Sequence, residues 1–288
     1  MIMEDATHAR GGLFSSDRAS LASSDQALVK LSGNGREFVF GRGRRTLVMG
    51  ILNVTPDSFS DGDRFLSKES AVARALEMVE HGADLIDVGG ESTRPGAVYV
   101  EEDEELERVI PVVQELAKKG VVLSIDTSKA AVAREALKAG AWMINDVSAL
   151  RDPRMADVLN EFNAPVVLMH MRGTPQTMQS DVEYDDLTAE ILAYLSERLA
   201  FAVSEGVEAE RIVIDPGIGF GKSAQGNFLI LKKLKEFKAL GRPVLIGASR
   251  KSFLSQAKEE GGEERGTKDG PLSRLAPSLA AESVAILN

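Results

Sequence analysis

The chain has 288 residues, 44 acidic against 34 basic side chains, a formal net charge of −10 and no cysteine. The lack of thiols excludes a disulfide scaffold, thiolate zinc sites and thiol catalysis, and three histidines are too few for a multi-histidine metal centre. The acidic balance argues against a nucleic-acid binder, and no stretch is apolar enough for long enough to span a bilayer, so any anionic substrate must be held by a local cation cluster or a metal.

Residues 1–27 lack the apolar core of a secretory signal and read as a flexible tail, which leaves the cytoplasm as the expected compartment. From Leu28 onward we expect one barrel domain, residues 28–288. It opens with a β-hairpin: Ser32-Gly33-Asn34-Gly35 separates two apolar runs, and Asn and Gly tolerate the positive φ of a tight turn. The basic run from Gly41 to Arg45 reads as a solvated turn rather than a phosphate site.

An alternation then begins. Apolar runs at 46–54, 83–90, 121–128, 141–148, 164–171, 211–221 and 242–249 read as strands. Between and after them, segments at 70–82, 101–120, 129–140, 153–162, 185–206, 227–241 and 250–262 carry helical periodicity, several ending in Gly. The acidic stretch Glu101 to Glu105 reads as a solvated first helical turn. Strands that are apolar on both faces and alternate with helices imply a parallel sheet with right-handed crossovers. That sheet is either an open doubly wound one or a closed barrel. Polar residues collect at the C-terminal end of nearly every strand: Asn53, Asp87, Asp126, Asn145, Asp146, His170, Asp215 and Ser249-Arg250-Lys251. A barrel gathers all those ends into one ring, whereas an open sheet focuses function at one switch point, so the α/β (β/α)8 TIM barrel with an N-terminal hairpin is favoured.

Individual motifs sharpen this. Gly217 to Ser223 resembles a phosphate loop but fails the spacing, because Pro216 stands where the first glycine is required. In Asp126-Thr127-Ser128 and Asp146-Val147-Ser148 either residue type could cap the following helix. If the serines do so, both carboxylates are freed for the barrel mouth, where acids and amides suit the N–H and C=O edges of a flat heterocycle. Ser249-Arg250-Lys251-Ser252 reads as a helix start able to hold an anion, since cations there oppose the helix dipole and need another reason. Arg94 is a second loop cation. His170 fits a hydrogen-bonded wall residue as well as an acid–base group.

Together, Met49 to Gly62, Asp87 to Gly96, Ser124 to Ser128, Ile144 to Asp146, Met169 to Met171, Asp215 to Lys222 and Ser249 to Ser252 resemble the dihydropteroate synthases. The resemblance implies a transferase that condenses 6-hydroxymethyl-7,8-dihydropterin diphosphate with 4-aminobenzoate and releases diphosphate. It implies that Asp126, Asn145, Asp215 and Lys251 contact the pterin, with Met169 also in the substrate pocket, and that Asn53 ligates Mg2+. It implies that Thr93 and Arg94 lie on a mobile loop facing the aminobenzoate and diphosphate, that Asp57, Ser58, Phe59, Ser60 and Asp61 form a second mobile loop, and that Phe220 and Ser252 line the aminobenzoate pocket. Asp126, Arg94 and Lys251 are the expected catalytic set. The expected partners are small-molecule substrates and a second copy in a homodimer, with neither nucleic acid nor membrane.

The family pattern continues into an eighth strand bearing Arg and His. Here the last stretch, 279–288, reads as a helix, so the final βα unit is missing from the sequence and the first and seventh strands are expected to have open edges. The alternatives are a truncated, non-catalytic pterin-binding paralogue and a methyltetrahydrofolate methyltransferase domain.

Overall fold

A computed structural model describes residues 28–41, 43–55, 64–256 and 274–288, apart from the side chains of 64–67. The tail, the 57–61 loop and the 259–270 insertion lie outside the described residues.

The hairpin is present: β1 (Val29–Gly33) pairs antiparallel with β2 (Arg36–Phe40). Asn34 and Gly35 take φ of 42° and 75° between them, as a two-residue turn matching the strand twist requires. The alternating units follow as β3 (Met49–Asn53), α1 (Arg64–Glu80), β4 (Leu85–Gly89), α2 (Glu102–Lys118), β5 (Leu123–Asp126), α3 (Ala130–Lys138), β6 (Met143–Asp146), α4 (Met155–Glu161), β7 (Val166–Met169), α5 (Leu187–Ser204), β8 (Ile212–Asp215) and α6 (Ala224–Lys232). A short α7 (Leu234–Phe237) and α8 (Leu275–Leu287) complete the described helices.

The parallel sheet runs β3-β4-β5-β6-β7-β8 in simple sequence order. A doubly wound sheet reverses direction at a switch point, and this one does not. The 242–249 segment follows β8 as a strand reduced to one parallel bridge, Ile214 to Val244, with the Leu245 N–H donating to the Ile214 carbonyl at 2.8 Å. Met49 from the first position and Leu245 from the last pack into the same cluster as Leu85, Met143, Val167 and Val213. One face of the successive strands, from Met49 to Leu245, feeds this single cluster, as the filled interior of a barrel requires. The hairpin plugs the N-terminal end of the barrel: Leu31, Phe38 and Phe40 join that cluster, and the Trp142 indole N–H donates to the Gly33 carbonyl at 2.8 Å.

Strand residues of the other parity face the helical ring. Leu52, Ile86, Val88, Ile125, Ile144 and Leu168 pack on Val109, Val112, Leu116, Ala133 and Leu159, and each large aliphatic side chain so buried stabilises the fold by roughly 1.5–3 kcal/mol. Among the described residues no strand lies beside the outer edge of β3. Ile51, whose register points it inward, is consequently 57% exposed.

Two expected helices come out shorter. The segment at 227–241 breaks at Lys233 into α6, α7 and a 3-10 turn, and the described part of 250–262 forms only a five-residue 3-10 turn, Ser252–Gln256. No helix of the described residues is long and apolar enough to cross a membrane.

Candidate functional site

The register of the parallel strands sets Asn53, Gly89, Asp126 and Asn145 side by side at one level of the barrel mouth. Asp87 and Ser124 lie two residues earlier on their strands, so the alternation of the pleat gives them the same inward face. The Asn145 amide N–H donates to Asp87 Oδ2 at 2.9 Å. Asp126 Oδ1 is sealed from solvent with no hydrogen-bond partner. Asp87 Oδ1 and the Ser124 hydroxyl facing it across the sheet are likewise sealed and make no bond of normal length, although Ser124 is near enough to favour the ionised Asp87. Burial raises the pKa of both carboxyls, and that of Asp126 goes well above its ordinary value because Asp87, Glu105, Asp146 and Glu91 add like charge. Buried acceptors are normally satisfied, so two orphan carboxylate oxygens in one mouth mark a place for a ligand that brings N–H donors.

The opposite side is built by the loop after β8. Asp215 Oδ1 accepts the Gly217 N–H at 2.7 Å, and the Gly219 N–H donates to Asn227 Oδ1 at 2.6 Å. Gly219 has φ +83° and its missing Cβ would lie 2.6 Å from Lys251 Cδ, so only glycine lets that lysine pass. Lys251 donates to the Ile218 carbonyl and sits 4.2 Å from the centre of the Phe220 ring. Burial lowers its pKa to about 8 against the opposing pull of Asp215 and Asp126. Asp215 is raised by burial, with Gly217, Lys251 and Lys222 working the other way. Lys251 thus stands electrostatically between the two carboxylates.

Lys222, which sequence reasoning left without a role, and His170, read there as either a hydrogen-bonded wall residue or an acid–base group, form a buried pair. The Lys222 ammonium reaches His170 Nδ1 at 3.0 Å, the His170 carbonyl at 3.2 Å and the Phe220 carbonyl at 2.8 Å. Burial lowers Lys222 to about 7. His170, desolvated and beside Lys222 and Arg172, is lowered to about 3 and packs edge-on to Tyr194 at 5.0 Å. His170 is therefore a neutral wall residue. The available signal for Lys222 was a lysine in a glycine loop directly after a strand-end aspartate. Asp87 was visible as a strand-end acid, but nothing in the sequence showed that the Asn145 amide would bind it inside the mouth.

The remaining expected residues are placed as follows. Met169, paired with Asp215 across the sheet, is buried against Val147, Met171 and Met178 with Phe220 beside them. A cleft of about 320 Å³ opens beside the glycine loop, lined among others by Gly219, Lys222, Asn227, Ser252 and Phe253. Thr93 is half-buried and Arg94 exposed on the loop after β4. That loop touches the neighbouring one through the Gly96 N–H to the Pro175 carbonyl and the Gln176 side-chain N–H to the Ala97 carbonyl, both at 3.1 Å. Asp57, Ser58, Phe59, Ser60 and Asp61 lie outside the described residues.

Three expectations are corrected. Asp146 does not face the mouth: its carboxylate accepts the Ser148 N–H and hydroxyl and the Leu150 N–H at 2.7–2.8 Å. Its position one residue past Asn145 turns it to the helix side, where it caps a turn with Ala149 and Leu150 at positive φ. The Ser249–Ser252 segment offers no long helix N-terminus, because Arg250 takes φ 56° and its N–H is bound by Ser278 Oγ of α8 at 2.7 Å. A single 3-10 turn carries little dipole to hold an anion. Glu105 is not a solvated residue of the first turn but is fully buried, bound by Lys129.

Among the described residues no three His, Asp or Glu side chains are grouped to cage a metal. A Cβ on Gly89 would lie 3.5 Å from Asp126 Oδ2 and 3.8 Å from Asn53 Oδ1, so the bare glycine keeps a gap open between those two oxygens. One amide oxygen beside such a gap suits Mg2+, which retains waters and favours phosphate oxygens over an all-protein cage.

A family model described as "Pterin binding enzyme" matches residues 49–288. The dihydropteroate synthase of Synechocystis is 50% identical over 220 residues, covering 76% of each chain. A solved structure of the Xanthomonas albilineans dihydropteroate synthase with 4-aminobenzoic acid superposes with a TM-score of 0.80 at 45% identity, over 91% of this chain and 90% of that one. The same enzyme in complex with 7,8-dihydropteroate gives a TM-score of 0.75 at 43% identity, over 90% of this chain and 89% of that one.

Proposed function

Because the chain belongs to the pterin-binding enzymes, and within them to the dihydropteroate synthases, we infer that it condenses 6-hydroxymethyl-7,8-dihydropterin diphosphate with 4-aminobenzoate. The observation that carries this reading is the pair of orphan carboxylate oxygens, Asp87 Oδ1 and Asp126 Oδ1, at one side of a deep polar mouth. The N–H edge of a pterin supplies the donors they lack, and Asn145 and Asp215 complete an amide-and-acid frame around a flat ring. Lys251, stacked on Phe220, covers a face of that ring or its carbonyl edge.

In the reaction the bond between the exocyclic carbon and the bridging oxygen breaks, and diphosphate leaves with the electron pair. The carbon is left cationic in conjugation with the pterin ring. The arylamine nitrogen then forms the new C–N bond and gives up one proton to solvent. Asp126, desolvated and anionic once its oxygens accept pterin N–H groups, opposes the developing positive charge. Arg94 approaches the leaving diphosphate from its loop, and Thr93, Phe220 and Ser252 frame the aminobenzoate. Asn53 is the residue that would hold Mg2+, which when bound neutralises the diphosphate and makes it a better leaving group.

The test is direct. Purified protein given dihydropterin diphosphate, 4-aminobenzoate and Mg2+ forms 7,8-dihydropteroate and diphosphate. Pterin binding without product would overturn the reading in favour of a non-catalytic paralogue.

A further inference from the structure

Lys129 stands where a cation is electrostatically unwelcome. It immediately precedes α3, whose N-terminus carries partial positive charge, and the residue is only 6% exposed. Its ammonium donates to the carboxylates of Glu91 and Glu105 and lies 4.6 Å from the centre of the Tyr99 ring. These partners share one feature. Glu91 follows the end of β4, while Tyr99 and Glu105 bracket the start of α2, so they are the two feet of the loop that carries Thr93 and Arg94. The crown of that loop is tied to another loop, through Gly96 to Pro175 and Gln176 to Ala97. Lys129 therefore fastens both feet to the segment that follows β5, three residues beyond Asp126, while Arg108 of α2 ties the two feet to each other through the Gly90 carbonyl at 2.7 Å.

We propose that Lys129 is a positioning residue that clamps both feet of the 92–98 loop, fixing where Thr93 and Arg94 stand over the ring of strand-end polar groups. The role rests on the reading that this loop serves the condensation. A buried ammonium shared by two carboxylates is costly to desolvate, and hydrophobic packing of equal volume would hold the fold as well, so specificity of loop placement is the reason for its presence.

The test compares Lys129→Met, which keeps the stem and removes the charge, with Lys129→Arg. Hydrogen exchange over 92–99 in the unliganded protein is expected to accelerate roughly tenfold in Lys129→Met, with β5 and β6 unchanged. The KM for 4-aminobenzoate is expected to rise about tenfold with a fall in kcat, while affinity for 6-hydroxymethylpterin alone stays within about twofold. Lys129→Arg recovers most of both effects. Should Lys129→Met fail to fold, Glu91→Gln and Tyr99→Leu, the latter at a ring 55% exposed, carry the same measurements. Unchanged exchange over 92–99 overturns the proposal. So does faster exchange with unaltered kinetics, or parallel loss of pterin and aminobenzoate binding with exchange rising throughout the barrel. The exchange measurement needs no turnover, so a wild type that makes no dihydropteroate would refute the proposed function while this clamp was still decided on its own.

Discussion

Replacing Asp126 by Asn separates stability from chemistry. The side chains are nearly the same size, so packing at the mouth is conserved while a charge is removed. Asp126 Oδ1 is buried without a partner, and Asp87, Glu105, Asp146 and Glu91 all oppose its ionisation. An amide keeps an unsatisfied oxygen but removes the charge, and a charge buried among like charges costs more than a neutral group in its place, so Asn is expected to stabilise the unliganded protein by at least about 1 kcal/mol near neutral pH. For a chain of this size that raises Tm by roughly 2–4 °C. The sign follows from linkage. A carboxyl whose folded pKa is raised favours folding below its unfolded pKa, and that contribution is lost as pH rises through the folded value. The advantage of Asn should accordingly be large at about pH 8 and vanish below about pH 4, where Asp is neutral in both states. Loss of the carboxylate also removes the group that opposes charge on the exocyclic carbon, and kcat is expected to fall about 10²–10³-fold, in the range of one lost preorganised electrostatic contact. Thermal melts followed by circular dichroism across that pH range, with product assays on the same samples, check both halves. A variant less stable than wild type at about pH 8, or one turning over within about tenfold of it, refutes the argument.

The pH profile offers a second check. With Lys222 lowered to about 7 and Lys251 to about 8, each loses its positive charge as pH rises through its value. On this basis kcat/KM for dihydropterin diphosphate should decline above pH 7–8 in the free enzyme, and a profile flat to about pH 9.5 would contradict it. His170, lowered to about 3, stays neutral in the physiological range. Its ring resonances in NMR should not titrate between about pH 5 and about pH 8, and an inflection near the usual histidine value would show the pairing with Lys222 to be wrong. Asp146→Ala removes the acceptor of the hydrogen bonds from Ser148 and Leu150. It should destabilise the fold by about 1–3 kcal/mol in chemical denaturation while leaving the KM for both substrates nearly unchanged, and an isolated rise in KM would return this residue to the mouth.

Much of the architecture is local information. Apolar runs that alternate with amphipathic segments specify buried parallel strands and covering helices, and Asn34-Gly35 specifies the hairpin turn, because each depends on neighbours in the chain. The strand-end polar residues were legible for the same reason: Asn53, Asp126, Asn145 and Asp215 interrupt apolar runs where no core could absorb them. What the sequence left open turned on contacts between distant segments. Asp146 and Asp126 sit in nearly identical local motifs, and only the register of the sheet sends one to the helix side and the other to the mouth. Glu105 reads as one of a run of solvated acids until α2 packs against the residue preceding α3 and Lys129 meets it in the interior. The segment after the last strand lost its expected helix start because Ser278, 28 residues away, binds the Arg250 N–H and holds it in a left-handed turn. Lys222 gained its perturbed ionisation from burial, which outweighs the pull of Asp215, and it is buried where the fold sets it against His170, 52 residues earlier in the chain. Periodicity and turn chemistry act over a few residues and can be read in line. Desolvation, charge pairing and the facing of a side chain depend on what the fold brings alongside, and those were decided only when the sheet rolled into a barrel.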